Sequence, residues 1–133
     1  MHVPKLEAKE SDYHYNSLAA AIIEKRGIHR FDQISFIPFM AAGWNPRPWV
    51  HDKRATFTMP TKNQWTRELT RMAYDLENLS NMGIKLNDSA RQKIFTIYAW
   101  NEFGEGGIVA PTQRLKYMKL EGIKEVFGVK LRK

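Results

Sequence analysis

The sequence of 133 residues contains no cysteine and no long apolar run. The lack of cysteine excludes disulfide bonds, thiolate metal sites and a cysteine nucleophile. No stretch approaches the ~20 apolar residues of a membrane-spanning helix, so we expect no membrane segment. Polar residues rather than an apolar leader follow Met1, which predicts a cytoplasmic location if Met1 is the native start. The sequence leaves the compartment open otherwise.

The length and composition predict a single globular domain. At ~100–200 residues per domain, the chain has room for one. Hydrophobic residues make up 43% of the sequence and charged residues 26%, which argues against intrinsic disorder. We interpret residues 1–12 as a polar lead-in and residues 13–133 as the folded unit.

The net charge of +7 is concentrated near the C-terminus. Residues 113–133 carry seven Lys or Arg and two Asp or Glu, and residues 1–112 contribute only +2. Nucleic-acid binding needs a clustered basic footprint on a recognisable module, so we do not expect a nucleic-acid partner. Lys116, Lys119 and Lys124 are predicted to form a solvated face of the last helix.

Apolar periodicity and turn residues predict three helices and two strands. The helices are expected at 17–26, 61–82 and 113–127, and the strands at 34–40 and 94–100. The second helix has the clearest pattern, with apolar residues at steps of 4, 3, 4 and 3 that we predict to be core: Trp65, Leu69, Met72, Leu76 and Leu79. Thr61 is the predicted N-cap of this helix, and Gly27, Gly83 and Gly128 are predicted to end the three helices.

The order of these elements indicates an α/β fold with parallel strands. The loops that follow the two strands, 42–60 and 101–112, should therefore meet at the carboxyl edge of the sheet, where α/β proteins place their sites. Two strands do not make a stable parallel sheet, and a (β/α)₈ barrel needs ~250 residues. The chain is thus predicted to be a barrel fragment, a piece of a split gene, or a protomer that completes its sheet with partners.

Two carboxylates follow the second predicted strand directly. Glu102 and Glu105 lie three positions apart with Gly104 between them. A turn at Gly104 would reduce their separation from ~10 Å in an extended chain towards the ~5–9 Å of paired glycosidase carboxylates. Trp100 and Phe103 flank them and could raise the pKa of one carboxyl group by desolvation. The alternative is a solvated acidic turn in which Asn101 has a structural role.

The loop after the first strand is the second candidate for binding. Trp44 and Trp49 would be costly to expose without use, and aromatic faces stack well on the apolar faces of sugar rings. Asn45 lies beside them, and Arg47 could hydrogen-bond hydroxyl groups or a carboxylate. The alternative is a loop pinned to the domain by its own tryptophans.

Neither a metal nor a cofactor is expected. His51 and Asp52 follow this loop, but no third convergent ligand lies nearby. Gly104, Gly106 and Gly107 do not form a phosphate-binding fingerprint.

Two motifs resemble a known family. They are residues 43–48, with the sequence Gly-Trp-Asn-Pro-Arg-Pro, and residues 98–107, with the sequence Tyr-Ala-Trp-Asn-Glu-Phe-Gly-Glu-Gly-Gly, followed by Pro111 and Thr112. Together they resemble the C-terminal part of the family 99-like glycoside hydrolases, and are especially similar to the WbsX-type branch, often labelled glycosyltransferase-like. The resemblance extends over about residues 14–128 and implies the last two or so β/α units, after a leading helix, of a (β/α)₈ TIM barrel.

The resemblance also implies roles for individual residues. Glu102 would be the base that assists attack by the 2-hydroxyl group of the substrate, and Glu105 the acid that protonates the leaving oxygen and later activates water. Retention would proceed through an anhydro-sugar, in contrast to the common covalent route. Asn101 would hold a glutamate or a sugar hydroxyl group, and Trp44 and Arg47 would shape the pocket wall. Trp49 and Trp100 complete the predicted substrate-binding set.

Three interpretations of function remain open from the sequence. The first is a glycan-processing domain that acts on an α-linked glycan, inactive unless it assembles with the missing barrel strands. The second is a non-catalytic carbohydrate-binding or interaction module. The third is a glycosyltransferase of polysaccharide assembly, which the absence of a nucleotide fingerprint disfavours. The isolated chain is predicted to self-associate or to be catalytically silent, because its sheet edges would otherwise be exposed.

Overall fold

The computed structural model describes residues 14–28, 34–46 and 55–128. Within these ranges the chain forms three helices and six short strands. In chain order they are α1 (Tyr15–Ile28), β1 (Phe39–Ala41), α2 (Lys62–Asn78), β2 (Ile84–Lys85), β3 (Arg91–Gln92), β4 (Thr96–Tyr98), β5 (Asn101–Glu102), β6 (Gly107–Ile108) and α3 (Met118–Phe127). None of these helices is long and apolar enough to cross a bilayer.

The two predicted strands pair in parallel, as the element order indicated. β1 lies beside β4, with Phe39 opposite Thr96 and Ala41 opposite Tyr98. The ladder is shorter than the apolar runs from which it was predicted. At the entrance to β1, Phe36 pairs instead with Met82, and Gly83 donates to the Phe36 carbonyl. The predicted barrel itself stays a prediction, because the described residues contain two of its strands.

Helix α2 begins as its sequence predicts. The Thr61 hydroxyl accepts from the Gln64 amide at 3.3 Å, and the Gln64 side chain accepts from the Thr61 amide at 2.9 Å. This capping box satisfies two of the free donors at the helix start. The predicted apolar stripe is core: Trp65, Leu69, Met72 and Leu76 are buried, and Leu79 packs against them.

The predicted end of α2 is wrong by four residues. The helix ends at Asn78, and Leu79 is extended at its C-cap. The Arg91 guanidinium donates to the carbonyls of Leu76 and Leu79, so a side chain from β3 occupies acceptors that a longer helix would use. Gly83, with φ of 101°, lies in the turn that leads into the β2–β3 hairpin. Neither strand of this hairpin was predicted.

Helix α1 precedes α2 in the sequence and α3 follows it, and both helices contact α2. On α1, Tyr15, Leu18, Ala19 and Ile22 are buried, and the Tyr15 hydroxyl donates to the Ala41 carbonyl at 2.8 Å. The helix includes Gly27, which was expected to end it.

Helix α3 begins at Met118, five residues later than predicted. The chain before it forms a turn in which the Lys116 amide donates to the Thr112 carbonyl at 2.7 Å. Lys116 has a φ of 47°, which a continuous helix does not allow. Gly128 ends the helix as expected, and Ile123 and Val126 are partly buried against the core.

One prediction about α3 is wrong and bears on the site. Lys119 was placed on a solvated face, but only 2% of its surface is exposed. Its spacing explains the error, because Lys119, Gly122, Ile123 and Val126 share one helical face, and that face packs inward. Exposed Lys124 agrees with the predicted solvated face.

Candidate functional site

The acidic motif forms a hairpin at the end of β4. β5 and β6 pair antiparallel, with Asn101 opposite Ile108 and Glu102 opposite Gly107. Residues 103–106 turn between them, and the glycine in the left-handed region is Gly106, with φ of 70°, rather than Gly104. A side chain at Gly106 would place its Cβ 2.9 Å from the Asn45 nitrogen, so both its backbone conformation and its neighbours require glycine.

Glu102 and Glu105 stand at the two ends of one tight turn. The Glu105 amide donates to the Glu102 carbonyl at 3.2 Å, so the chain reverses between them as predicted. Glu102 is exposed and Glu105 is half-buried. The two carboxyl groups therefore have different environments, as separate chemical roles would require.

Tyr98 belongs to the site, although no role was predicted for it from the sequence. It ends β4, and its hydroxyl donates to Oε2 of Glu105. This hydrogen bond, followed by burial and by the charges of Glu105 and Glu102, raises the pKa of Tyr98 to about 12. Of the two carboxylates, Glu105 hydrogen-bonds the hydroxyl group, and the charge of Glu102 contributes least to the shift. No pattern in the sequence indicated this contact, because Tyr98 and Glu105 lie seven residues apart and meet only when the chain turns at 103–106.

The loop after β1 meets this hairpin at the carboxyl edge of the parallel pair. The Asn45 amide donates to the Glu105 carbonyl at 2.6 Å. The approach is close, because a Cβ at Gly43 would lie 2.5 Å from the Gly106 carbonyl oxygen. The predicted meeting of the two loops is confirmed for these residues.

Trp44 lies half-buried beside Tyr98. The two ring centroids are 6.3 Å apart, with their planes tilted by 45°. Trp44 also packs against the core, so it pins its loop as the alternative interpretation proposed, while lying next to the tyrosine that binds Glu105.

Other predicted binding residues are less enclosed. Trp100 exposes 57% of its surface, and Asn101 beside it is exposed. Phe103, which was predicted only to flank the carboxylates, exposes 58% of its surface. Arg47, Trp49, His51 and Asp52 lie outside the described residues. Over residues 14–28, 34–46 and 55–128, no three His, Cys, Asp or Glu side chains form a group that could hold a metal ion.

A separate open groove of about 570 Å³ lies along the outward side of α2. It shares no residue with the predicted site and is lined by Asn63, Thr66, Arg67, Thr70, Arg71 and Tyr74. These positions recur at helical spacing along one face, as expected of an exposed helix surface.

Comparisons with known proteins add no relative. No protein-family model, no curated protein and no solved structure matches the chain. The resemblance to the family 99-like glycoside hydrolases therefore stays a prediction carried by the motifs at 43–48 and 98–107.

Proposed function

We propose that this chain is part of a glycan-processing protein, similar to the C-terminal part of a retaining α-glycosidase of the endo-α-mannosidase type. One observation carries the proposal. The turn from Glu102 to Glu105, the Tyr98 hydroxyl group and the Trp44–Asn45 segment come together at the carboxyl edge of β1 and β4. Parallel α/β folds place their reactive groups at this edge. Most glycosidases cleave the glycosidic bond with a pair of carboxylate side chains.

Glu105 suits the role of the proton donor. Tyr98 donates to Oε2 of Glu105, which leaves Oε1 as the oxygen able to carry and deliver a proton. After the transfer, the tyrosine hydroxyl stabilises the carboxylate that remains, because a donated hydrogen bond favours the charged form. The main chain of Glu105 is held by Asn45, so the acid is oriented from two directions.

Glu102 suits the role of the base. It is exposed at the rim of the hairpin and open to a substrate hydroxyl group. In the proposed reaction it removes the proton of the sugar 2-hydroxyl group while that oxygen attacks the anomeric carbon and the glycosidic bond breaks. The proton on Glu105 goes to the leaving oxygen. Glu105 then takes a proton from the water that opens the anhydro-sugar with retention of configuration, and Glu102 returns its proton to the sugar 2-oxygen.

The aromatic residues of the site suit binding of a sugar ring. Trp44 and Trp100 are proposed to contact apolar sugar faces, and Asn45 and Asn101 to hold hydroxyl groups. Arg47 and Trp49, in the same loop as Trp44, remain proposed members of the binding set.

The proposed fold is the C-terminal portion of a (β/α)₈ barrel. Its support is the parallel pairing of β1 and β4, each followed in sequence by a helix, with both following loops at one edge. The proposed partners are an α-linked glycan and either further copies of this chain or the strands that complete the barrel.

The test uses α-linked mannan oligosaccharides with the chain alone and with any assembly it forms. Turnover should release products of retained anomeric configuration, measured by proton NMR. Glu105→Gln should lower kcat by at least ~100-fold, because the amide is too weak an acid to protonate the leaving oxygen. Glu125→Gln is the matched control, since Glu125 is an exposed glutamate on α3. Equal loss in both variants, or no loss in Glu105→Gln, would contradict the acid role.

A non-catalytic carbohydrate-binding module is the second candidate, favoured by the exposure of Trp100 and Phe103. It predicts saturable binding of the same oligosaccharides without turnover, reduced by Trp100→Ala and unchanged by Glu102→Gln. Calorimetric titration distinguishes the two functions, and absence of both binding and turnover would reject both.

A further inference from the structure

Lys119 is a buried cation for which the proposed reaction has no use. It lies in the first turn of α3 and is 2% exposed. Among the described residues, no carboxylate forms an ion pair with it. A buried charge is costly unless hydrogen bonds satisfy it, so its partners indicate what it does.

The partners of Lys119 come from the two segments that form the site. Its Nζ donates to the Ala42 carbonyl at 2.5 Å and to the Ile108 carbonyl. Ala42 directly precedes the Gly43–Asn45 segment, and Ile108 ends the acidic hairpin. One ammonium group thus bridges the main chains of both segments, which are more than sixty residues apart in sequence.

The position of Lys119 is itself held by α2. Trp65 Nε1 donates to the Lys119 carbonyl at 2.9 Å, and the ammonium lies 5.7 Å from the centroid of the Trp65 ring. Gly122, one turn along α3, allows this approach, because a Cβ there would lie 2.8 Å from Cδ1 of Trp65. Trp65 therefore contacts Lys119 at both its main chain and its ammonium group, and these contacts restrict the movement of the lysine side chain.

We propose that Lys119 is a positioning residue that holds the Ala42–Asn45 segment against the acidic hairpin, so that Asn45 and Glu105 remain in contact. The significance of that contact for catalysis rests on the proposed function. The bridge itself does not depend on the proposed function. An ammonium group has three donors, which are enough to bind two carbonyl acceptors from different segments. An apolar side chain of similar length would fill the same space but could not join the segments.

The test compares Lys119→Met with Lys124→Met in the 133-residue chain. Lys124 is the control because it is an exposed lysine of the same helix. Amide hydrogen exchange, measured residue by residue by NMR, should be at least ~10-fold faster at Asn45 in Lys119→Met, through local opening of the two segments. Exchange at the amides of Leu69 and Met72 in α2 should be accelerated much less, because methionine fills the same space and the two carbonyls that lose their donor belong to the site segments.

Two results would overturn the proposal. One is unchanged exchange at Asn45, and the other is an equal acceleration at Asn45, Leu69 and Met72, as expected of a residue that only fills the core. If Lys119→Met does not fold, the wild-type chain decides. With ¹⁵N-labelled lysine and ¹³C-labelled carbonyl groups, the Lys119 Nζ should show slowly exchanging protons and couplings across hydrogen bonds to the Ala42 and Ile108 carbonyl carbons, and the absence of both couplings would reject the bridge.

These measurements involve no carbohydrate, so their failure differs from a failure of the proposed function. A chain with an intact lysine bridge that neither binds nor cleaves mannan oligosaccharides would reject only the glycan proposal. A chain that cleaves them without the bridge would reject only the positioning role.

Discussion

The hydroxyl group of Tyr98 joins the end of β4 to the acidic turn that follows it. Its pKa of about 12 arises first from the hydrogen bond to Glu105. In Glu105→Gln, the neutral amide would remove the charged acceptor, so Tyr98 should ionise closer to its ordinary value of 10.0. Absorbance at 295 nm near pH 11 should show more ionised tyrosine in Glu105→Gln than in the wild-type chain, by less than one residue, because burial and the charge of Glu102 remain.

Tyr98→Phe identifies the tyrosine responsible for this difference. In a Tyr98→Phe background, Glu105→Gln should leave the absorbance at pH 11 unchanged. Equal ionisation in the wild-type chain and in Glu105→Gln would show that the carboxylate does not hold the phenol proton, and would remove the geometric support for Glu105 as an oriented acid.

Lys119 predicts how stability depends on pH. Burial lowers the pKa of Lys119 from 10.5 to about 8 in the folded chain. The unfolded chain therefore binds more protons between these values, and stability rises with pH across this window. The gain is complete above the unfolded pKa and is lost as the pH falls through about 8.

Lys119→Met lacks this titration, so the difference between the two chains isolates it. From pH 7 to 9.5, the free energy of unfolding of the wild-type chain should rise relative to Lys119→Met by about 2 kcal/mol. Urea unfolding at each pH measures the difference. A constant difference, or one that falls with pH, would mean that burial does not depress this pKa.

At the scale of elements, the contact between α2 and α3 depends on a missing side chain. Gly122 is buried where α3 crosses Trp65, and a Cβ there would come within 2.8 Å of the indole ring. Helix propensity favours Gly122→Ala by about 1 kcal/mol. We nevertheless expect net destabilisation by about 1–3 kcal/mol, because the helices must separate or Trp65 must leave its preferred position.

Gly27→Ala is the matched control for this prediction. Gly27 also lies in a helix, but nothing lies within 4 Å of its Cβ position, so the same substitution should stabilise the chain. Urea unfolding of both variants tests the pair. Stabilisation by Gly122→Ala would indicate that α2 and α3 are less closely packed than the structure has them.

At the scale of the whole molecule, the chain exposes aliphatic residues near the entrance to the parallel pair. Ile34 is 78% exposed and Leu86 is 61% exposed, and Ile37 and Ile84 are 45% and 41% exposed. The Phe36–Met82 bridge brings their two segments side by side. We expect concentration-dependent self-association of the isolated chain, since such a surface and a two-stranded parallel sheet are rarely left uncovered.

Sedimentation velocity over a range of concentrations measures this association. Ile34→Ser combined with Ile84→Ser should weaken it, whereas Tyr74→Ser, at an exposed aromatic on α2, should not. A wild-type chain that remains monomeric at all concentrations would contradict the expectation.

Local rules were sufficient for part of the fold. The capping box at Thr61 and the stripe from Trp65 to Leu76 need only neighbours within one helix, so their positions in the sequence predicted them. The parallel pairing of β1 with β4 followed from the order of elements, and it brought the 43–45 and 105–106 segments together as expected.

Other elements depended on distant partners. The early end of α2 depends on Arg91, which binds the last carbonyls of the helix from another strand. The β5–β6 hairpin replaced a predicted loop because its strands are two residues each, too short for a pattern of alternating polarity. The role of Tyr98 likewise appears only when the chain turns at 103–106 and returns Glu105 to it.

The sequence by itself determined the helical stripe of α2 and the acidic turn, because these follow from spacing within short segments, and it determined the parallel pairing of the strands through the order of elements. Only the tertiary structure decided that Lys119 is buried. The carbonyl of Ala42, which Lys119 binds, lies 77 residues away in the sequence. A lysine can be buried only if such acceptors are available when its helix packs, and otherwise its ammonium group stays exposed to solvent. Local sequence predicts that a charged side chain is exposed to solvent. Whether that side chain loses its water depends on the packing of the whole molecule, which local sequence does not show.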